Sequence, residues 1–202
     1  DKFYDEQGIC HVVLPERGHL APGLFCVGGD SHSPTGGAFG AYMFGIGATE
    51  MAGVLATGEI WIKVPETILM SWRNQLNAYV TAKDMMLAMC RKIGMGGGRY
   101  QAIQYAGQTI QALSMQERMT LSNMAAELGA QAGLIAPDEA TVAFVQAAGG
   151  TMPANWRDFQ IEAAESAENV MQFDAASLEP QIAAPYSPEN ADAADAFRNI
   201  SF

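Results

Sequence analysis

The segment Val27-Gly-Gly-Asp-Ser-His-Ser-Pro-Thr-Gly-Gly37 constrains this chain more than any other. An apolar run over 24–27 enters two glycines, and three polar residues follow, Asp30, Ser31 and His32. Small and apolar residues then continue over 36–57, a spacing that predicts a Gly-rich helix packed closely against another backbone. A strand passing through a polar turn into a helix is the repeating unit of α/β folds. It puts reactive side chains at the carboxyl end of a strand and beside a helix start, where such folds bind ligands. The same residue types also make an ordinary turn in which Asp30 and Ser31 cap the helix.

The rest of the chain repeats that alternation. The run over 9–14, ended by Pro15, reads as a strand buried on both faces, like 24–27. Residues 59–65 (Glu-Ile-Trp-Ile-Lys-Val-Pro) alternate with period two and read as a half-buried strand. Thr81-Ala-Lys-Asp84 and Ser114-Met-Gln-Glu117 are capping boxes that predict helices to about Ile93 and Gly129. Strands are expected over 101–105 and 134–136, a helix from Pro137 to about Ala148, and helix then strand over 163–177. The Ala-, Pro- and Asp-rich stretch from Pro180 onward is expected to be extended or mobile.

Charge and cysteine usage narrow the function classes. A net charge of −11 over 202 residues argues against nucleic acid or an anionic membrane surface as partner. No apolar run approaches the ~20 residues of a membrane span. Three cysteines, Cys10, Cys26 and Cys90, are odd in number and widely spaced, with no C-x-x-C, so neither a disulfide framework nor a closed zinc site is expected. They read as buried thiols of a cytoplasmic protein.

Four hydrolase and nucleotide motifs fail on inspection. Gly29-Asp-Ser31 is similar to the first block of GDS esterases, but no histidine follows His32 to complete such a site. There is no G-x-S-x-G elbow and no P-loop, and Gly45-Ile-Gly47 has Glu50 where a dinucleotide fingerprint needs its third glycine.

All three histidines, His11, His19 and His32, fall within the first 32 residues. His11 lies in an apolar run, where an imidazole needs a hydrogen-bond partner. If 9–14 and 24–27 are neighbouring strands, Asp30 is placed to supply it and to orient the ring for acid–base work. His19 sits in a loop bounded by Gly and Pro and is expected to be exposed. Asn123 and Glu127 are four residues apart and share one helix face.

Two long blocks carry a family resemblance. Residues 28–50 (GGDSHSPTGGAFGAYMFGIGATE) resemble the G-D-S-H-T-x-T-x-G-A-F-G…G-I-G-x-x-E signature of the aconitase superfamily, with Ser33-Pro34 where Thr-Ser is usual. Residues 119–133 (MTLSNMAAELGAQAG) and Ile135-Ala-Pro-Asp-Glu139 are similar to its second block, in wording close to the large subunits of 3-isopropylmalate dehydratases. Homoaconitases and dimethylmalate dehydratases are related alternatives.

The resemblance implies an α/β fold of aconitase type, three-layered α/β/α. Residues 1–62 would end a first domain, 63–183 form a second, and 184–202 be a linker or mobile tail. It implies a hydro-lyase that removes and adds water on a small hydroxy-dicarboxylic acid at a [4Fe–4S] cluster, whose open iron acts as a Lewis acid. By motif position His11 pairs with Asp30 and His32 with Glu127, while Ser31 and Asn123 line the same pocket; these six are the expected catalytic residues. The family's cluster cysteines lie in C-T-N/C-T-G and C-x-x-C segments that have no counterpart here, so no cluster is expected on this chain alone. The expected partners are therefore the remainder of a large subunit and a small subunit. The alternative is a split, non-catalytic module.

Overall fold

A computed structural model describes residues 2–159 and 169–198. Strands β1 (Phe25–Gly28) and β2 (Tyr42–Gly45) pair in parallel, Phe25 opposite Tyr42 and Gly28 opposite Gly45. A second parallel sheet joins β3 (Thr67–Arg73), β4 (Ala102–Ala106), β5 (Ala132–Ile135) and β6 (Asn169–Asp174) in the order β5-β4-β3-β6. Among the described residues the helices are α1 (Cys10–Glu16), α2 (Ala48–Thr57), α3 (Ala82–Ile93), α4 (Gln108–Ala112), α5 (Met115–Asn123) and α6 (Glu139–Ala147). The α/β class with a parallel sheet is as expected.

Where residue pattern and capping chemistry agree, the helix starts hold; α5 ends at Asn123 and not near Gly129 as expected, because the chain tightens there into turns such as Glu127 N–H to Met124 O at 3.1 Å. Thr81 donates through its N–H and hydroxyl to Asp84 Oδ2, which starts α3; Ser114 does the same with Glu117 at α5. The larger core packs Met70 and Trp72 of β3 and Ile103 and Tyr105 of β4 against Met85, Met86 and Met89 of α3 and Leu121 of α5. A smaller one gathers Leu20, Phe39, Met43, Met115 and Val145.

Three expectations fail for identifiable reasons. Residues 9–14 form no strand; they start α1, where Val13 N–H donates to Ile9 O at 2.9 Å and Arg17 N–H to Val13 O at 3.0 Å. A strand must find a partner strand for its backbone groups, whereas a helix satisfies the same groups locally. The stretch 36–57 is not one helix but three elements. A 3₁₀ helix (Ser33–Phe39) is followed by β2 and then α2. Residues 59–65 form no strand either, because no edge lies beside them among the described residues, and Trp61 is left 88% exposed. Strands β2 and β3 are absent from the sequence reading.

The expected close packing of the glycines is real although the helix is not. A Cβ on Gly37 would lie 1.8 Å from Gly133 O on β5, and one on Gly45 would lie 2.5 Å from Asp30 O. The first contact seats the 3₁₀ helix on the second sheet, and the second seats the polar turn on β2. The expected tail also takes a definite course. Strands β7 (Gln181–Ala183) and β8 (Ala191–Ala193) form an antiparallel hairpin on α3, where Gln181 N–H donates to Asp84 Oδ1 at 2.7 Å. The strand half of the 163–177 expectation is met by β6; its helix half falls mainly outside the described residues.

One buried ion pair joins α5 to α6. Arg118, 1% exposed, donates to Leu113 O, Gln111 O and Asp138 Oδ2 at 3.1, 3.0 and 2.6 Å. Burial opposes the charge on Asp138, but the hydrogen bond and charge of Arg118 and the N–H groups of Thr141 and Ala140 outweigh it and hold its pKa low. A carboxyl lowered on folding stabilises the native state above its unfolded pKa and loses that contribution as pH falls.

Two predictions follow from these contacts. Gly37→Ala should lower the melting temperature by roughly 5 °C or more, since overpacking against backbone costs about 1–3 kcal/mol. Gly53→Ala, with nothing within 4 Å of its Cβ, should leave it unchanged or raise it. Asp138→Asn should be less stable than the parent at pH 7, with the gap closing as pH falls through 4 and below; chemical unfolding across pH 2.5–7 reads this.

Candidate functional site

The polar turn between β1 and the 3₁₀ helix is built by its own backbone. Asp30 Oδ1 accepts from His32 N–H at 2.7 Å, and Asp30 O accepts from Ser33 N–H and from Ser33 Oγ. His32 O accepts from Thr35 N–H at 3.1 Å and from Thr35 Oγ1 at 2.7 Å. Asp30 and His32 are thus each pinned through the carbonyl by a hydroxyl three residues on.

Three elements bring the charged side chains together. His32 Nε2 lies 3.2 Å from Glu127 Oε1, across 95 residues of sequence. Glu127 stands in the turn beyond α5, where the chain has left helical geometry. Its other oxygen is buried with no protein partner. His11 Nδ1 approaches Asp30 Oδ1 to 3.7 Å, and His32 Nδ1 lies at the same distance from that oxygen. The two imidazole centroids are 6.3 Å apart. Asp30 therefore stands between both histidines, and Glu127 closes the far side of His32. Ser31 Oγ lies 3.2 Å from His32 Nδ1, and Asn123 Nδ2 donates to Thr35 Oγ1 at 2.9 Å.

All six expected residues fall in this neighbourhood, but His11 arrives by a different route. It comes from the first turn of a helix, not from a strand beside β1. His19 is apart from the cluster. It is half-buried and hydrogen-bonded to the Tyr4 hydroxyl, not exposed as expected. A cavity of about 370 Å³ opens beside the cluster, lined by Asp30, Ser31, Pro34, Ile46, Tyr100 and Gln131. Gln131 is buried and accepts from the Tyr42 hydroxyl. Burial, and then the nearby Tyr100, push the Tyr42 pKa up to about 12, so it stays a neutral donor.

The sequence reading missed Ser33, Thr35, Tyr42 and Gln131. For Ser33 and Thr35 a signal existed: each hydroxyl is three residues after a candidate catalytic residue, the spacing of a side-chain-to-backbone turn. Tyr42 and Gln131 carry no such signal.

The arrangement can pass a proton between imidazole and carboxylate, beside a cavity whose wall includes Asp30 and Ser31. It offers no cradle for a metal cluster. Among the described residues no group of three or more His, Cys, Asp or Glu side chains can hold a metal ion. Of the cysteines, expected to be buried, only Cys90 on α3 is; Cys26 on β1 is half-buried, and Cys10 is exposed because it opens α1 and not a strand buried on both faces. Burial raises the Cys26 pKa; burial, then Glu127, push Cys90 up to about 11. Among the described residues no helix is long and apolar enough to cross a membrane.

Comparison with known proteins matches residues 2–199 to the aconitase family (aconitate hydratase). The chain is 44% identical over 189 residues to a probable 3-isopropylmalate dehydratase large subunit of Methanothermobacter thermautotrophicus, covering 93% of this chain and 44% of the relative. It is 43% identical over 189 residues to a probable methanogen homoaconitase large subunit of Methanosarcina mazei, covering 93% and 48%. It is 40% identical over 189 residues to the 3-isopropylmalate dehydratase large subunit of Aquifex aeolicus, covering 93% and 43%. The chain thus spans less than half the length of these relatives.

Thiol chemistry checks the placement of the cysteines. At pH 7.5 an alkylating reagent should modify Cys10 at least about tenfold faster than Cys90, which should react only on unfolding. Mass spectrometry of the partly labelled chain reads the order.

Proposed function

This chain belongs to the aconitase family, and on that premise we propose that it supplies the acid–base half of a hydro-lyase large subunit. The reaction is dehydration and rehydration of a small hydroxy-dicarboxylic acid, of the isopropylmalate class. The observation that carries the reading is the His32–Glu127 contact at 3.2 Å, with Asp30 shared between His32 and His11. Two carboxylates beside two imidazoles suit the delivery of a proton to a leaving hydroxyl, which departs as water while an unprotonated group of the same cluster takes the proton of the neighbouring carbon and the C=C bond forms; the reverse transfers serve hydration.

Each residue has a stated part. His32, held by Glu127, and His11, held by Asp30, carry the proton. Ser31 lines the cavity wall. Asn123, through Thr35, fixes the turn that carries His32. The cluster used by this family finds no ligand set here, so in this reading its cysteines come from the remainder of a chain of large-subunit length, and no step above passes through it. Residues 1–62 and 63–183 then correspond to the end of one domain and to a second one. A small subunit and a cytoplasmic location belong to the same reading.

Homoaconitate-type chemistry is the second reading, favoured by the 43% identity to the Methanosarcina mazei homoaconitase large subunit. Turnover of 3-isopropylmalate against homoaconitate by the full-length, cluster-loaded protein with its small subunit separates the two. In that protein His32→Ala and Glu127→Gln should each lower kcat by at least ~100-fold on the preferred substrate. A loss under threefold would remove the pair from the chemistry.

A further inference from the structure

Of the hydroxyls that pin the polar turn, only Thr35 reaches beyond it. Ser33 Oγ serves Asp30 O alone, whereas Thr35 Oγ1 donates to His32 O and accepts from Asn123 Nδ2 at 2.9 Å. The turn and α5 with its following turn are therefore joined by two side-chain rungs, Thr35–Asn123 and His32–Glu127. The two segments pair in opposite order: Thr35 follows His32 by three residues, whereas its partner Asn123 precedes Glu127 by four.

They differ in burial. The side chains of His32 and Glu127 are 36% and 25% exposed, so water competes for their contact, and a partly exposed ion pair contributes little by itself. Thr35 is 3% exposed, and its partner His32 O is fixed backbone. Its hydroxyl uses its single proton on that carbonyl, which leaves its oxygen free to receive Asn123. The bond is thus directional, and no other partner competes for it in the structure.

We infer that Thr35 is a positioning residue that holds His32 at bonding distance from Glu127. It acts through His32 and Asn123 and does not line the cavity. Preorganised geometry of this kind is what keeps an acid–base pair in place, and a drift of about 1 Å is enough to lose it. That the pair does acid–base work rests on the proposed dehydratase reading; the geometric role of Thr35 does not.

Nuclear magnetic resonance on the 202-residue chain tests this without turnover. Thr35→Val keeps the shape and removes the hydroxyl, and Thr35→Ser keeps the hydroxyl. The readout is the nuclear Overhauser contact between the His32 ring Hε1 and the Glu127 Hγ protons. We expect Thr35→Val to lose that contact while backbone amide signals of β3, β4 and β5 stay in place, and Thr35→Ser to keep it. If Thr35→Val does not fold, Asn123→Leu cuts the same bond from the other side and should lose the contact too. A folded Thr35→Val or Asn123→Leu chain that retains the contact overturns the assignment, as does a folded Thr35→Ser chain that loses it. Failure of the dehydratase reading would appear separately, as absent turnover in a full-length protein whose His32–Glu127 contact is intact.

Discussion

The approach of Gly37 to Gly133 O is the contact on which the rest of the site depends. With any side chain at residue 37 the two backbones would have to separate, because a Cβ would come within 1.8 Å of the carbonyl. That seating brings the 3₁₀ helix against β5 and against α5, which packs beside it. Only then can His32 meet Glu127 and Thr35 meet Asn123. Packed interiors transmit such displacements rather than absorbing them. A small change at a glycine with no chemistry of its own would therefore open the pair that has it.

Around that contact the structure separates jobs that one residue type could not do together. The methionine-rich core of β3, β4, α3 and α5 supplies adaptable filling and holds the second sheet rigid. Arg118 satisfies two carbonyls near α4 and one carboxylate at the start of α6, so a charge that would be costly when buried becomes a brace. The polar turn meanwhile leaves Asp30 on the wall of a cavity and the His32 ring partly exposed. Stability and chemistry lie on different faces of α5: Leu121 is buried in the core, while Asn123 and, in the turn after it, Glu127 face the polar turn.

Much of this was legible in the residues. The capping boxes at Thr81 and Ser114 located α3 and α5, because a side chain that satisfies free N–H groups can do so in few places. The runs at 24–27, 101–105 and 134–136 became β1, β4 and β5. The run at 9–14 misled because so short a stretch, five apolar residues and His11, suits a strand or a buried helix equally. The stretch 36–57 misled for a related reason. Its small residues have no strong period, and the strand inside it exists only because β1 lies alongside. Residues 59–65 show the converse, a strand pattern with no strand to pair with.

The sequence by itself determined the class of fold, the helix starts, and which side chains could do acid–base chemistry, because caps, turns and side-chain pKa ranges are local properties. It also carried the motif blocks by which the family was identified. Tertiary structure decided that His11 reaches Asp30 from a helix, that one carboxylate stands between two imidazoles, and that Thr35 ties the turn to Asn123. Those facts depend on which backbones approach each other, for Thr35 and Asn123 across 88 residues of chain, and local spacing holds no record of that.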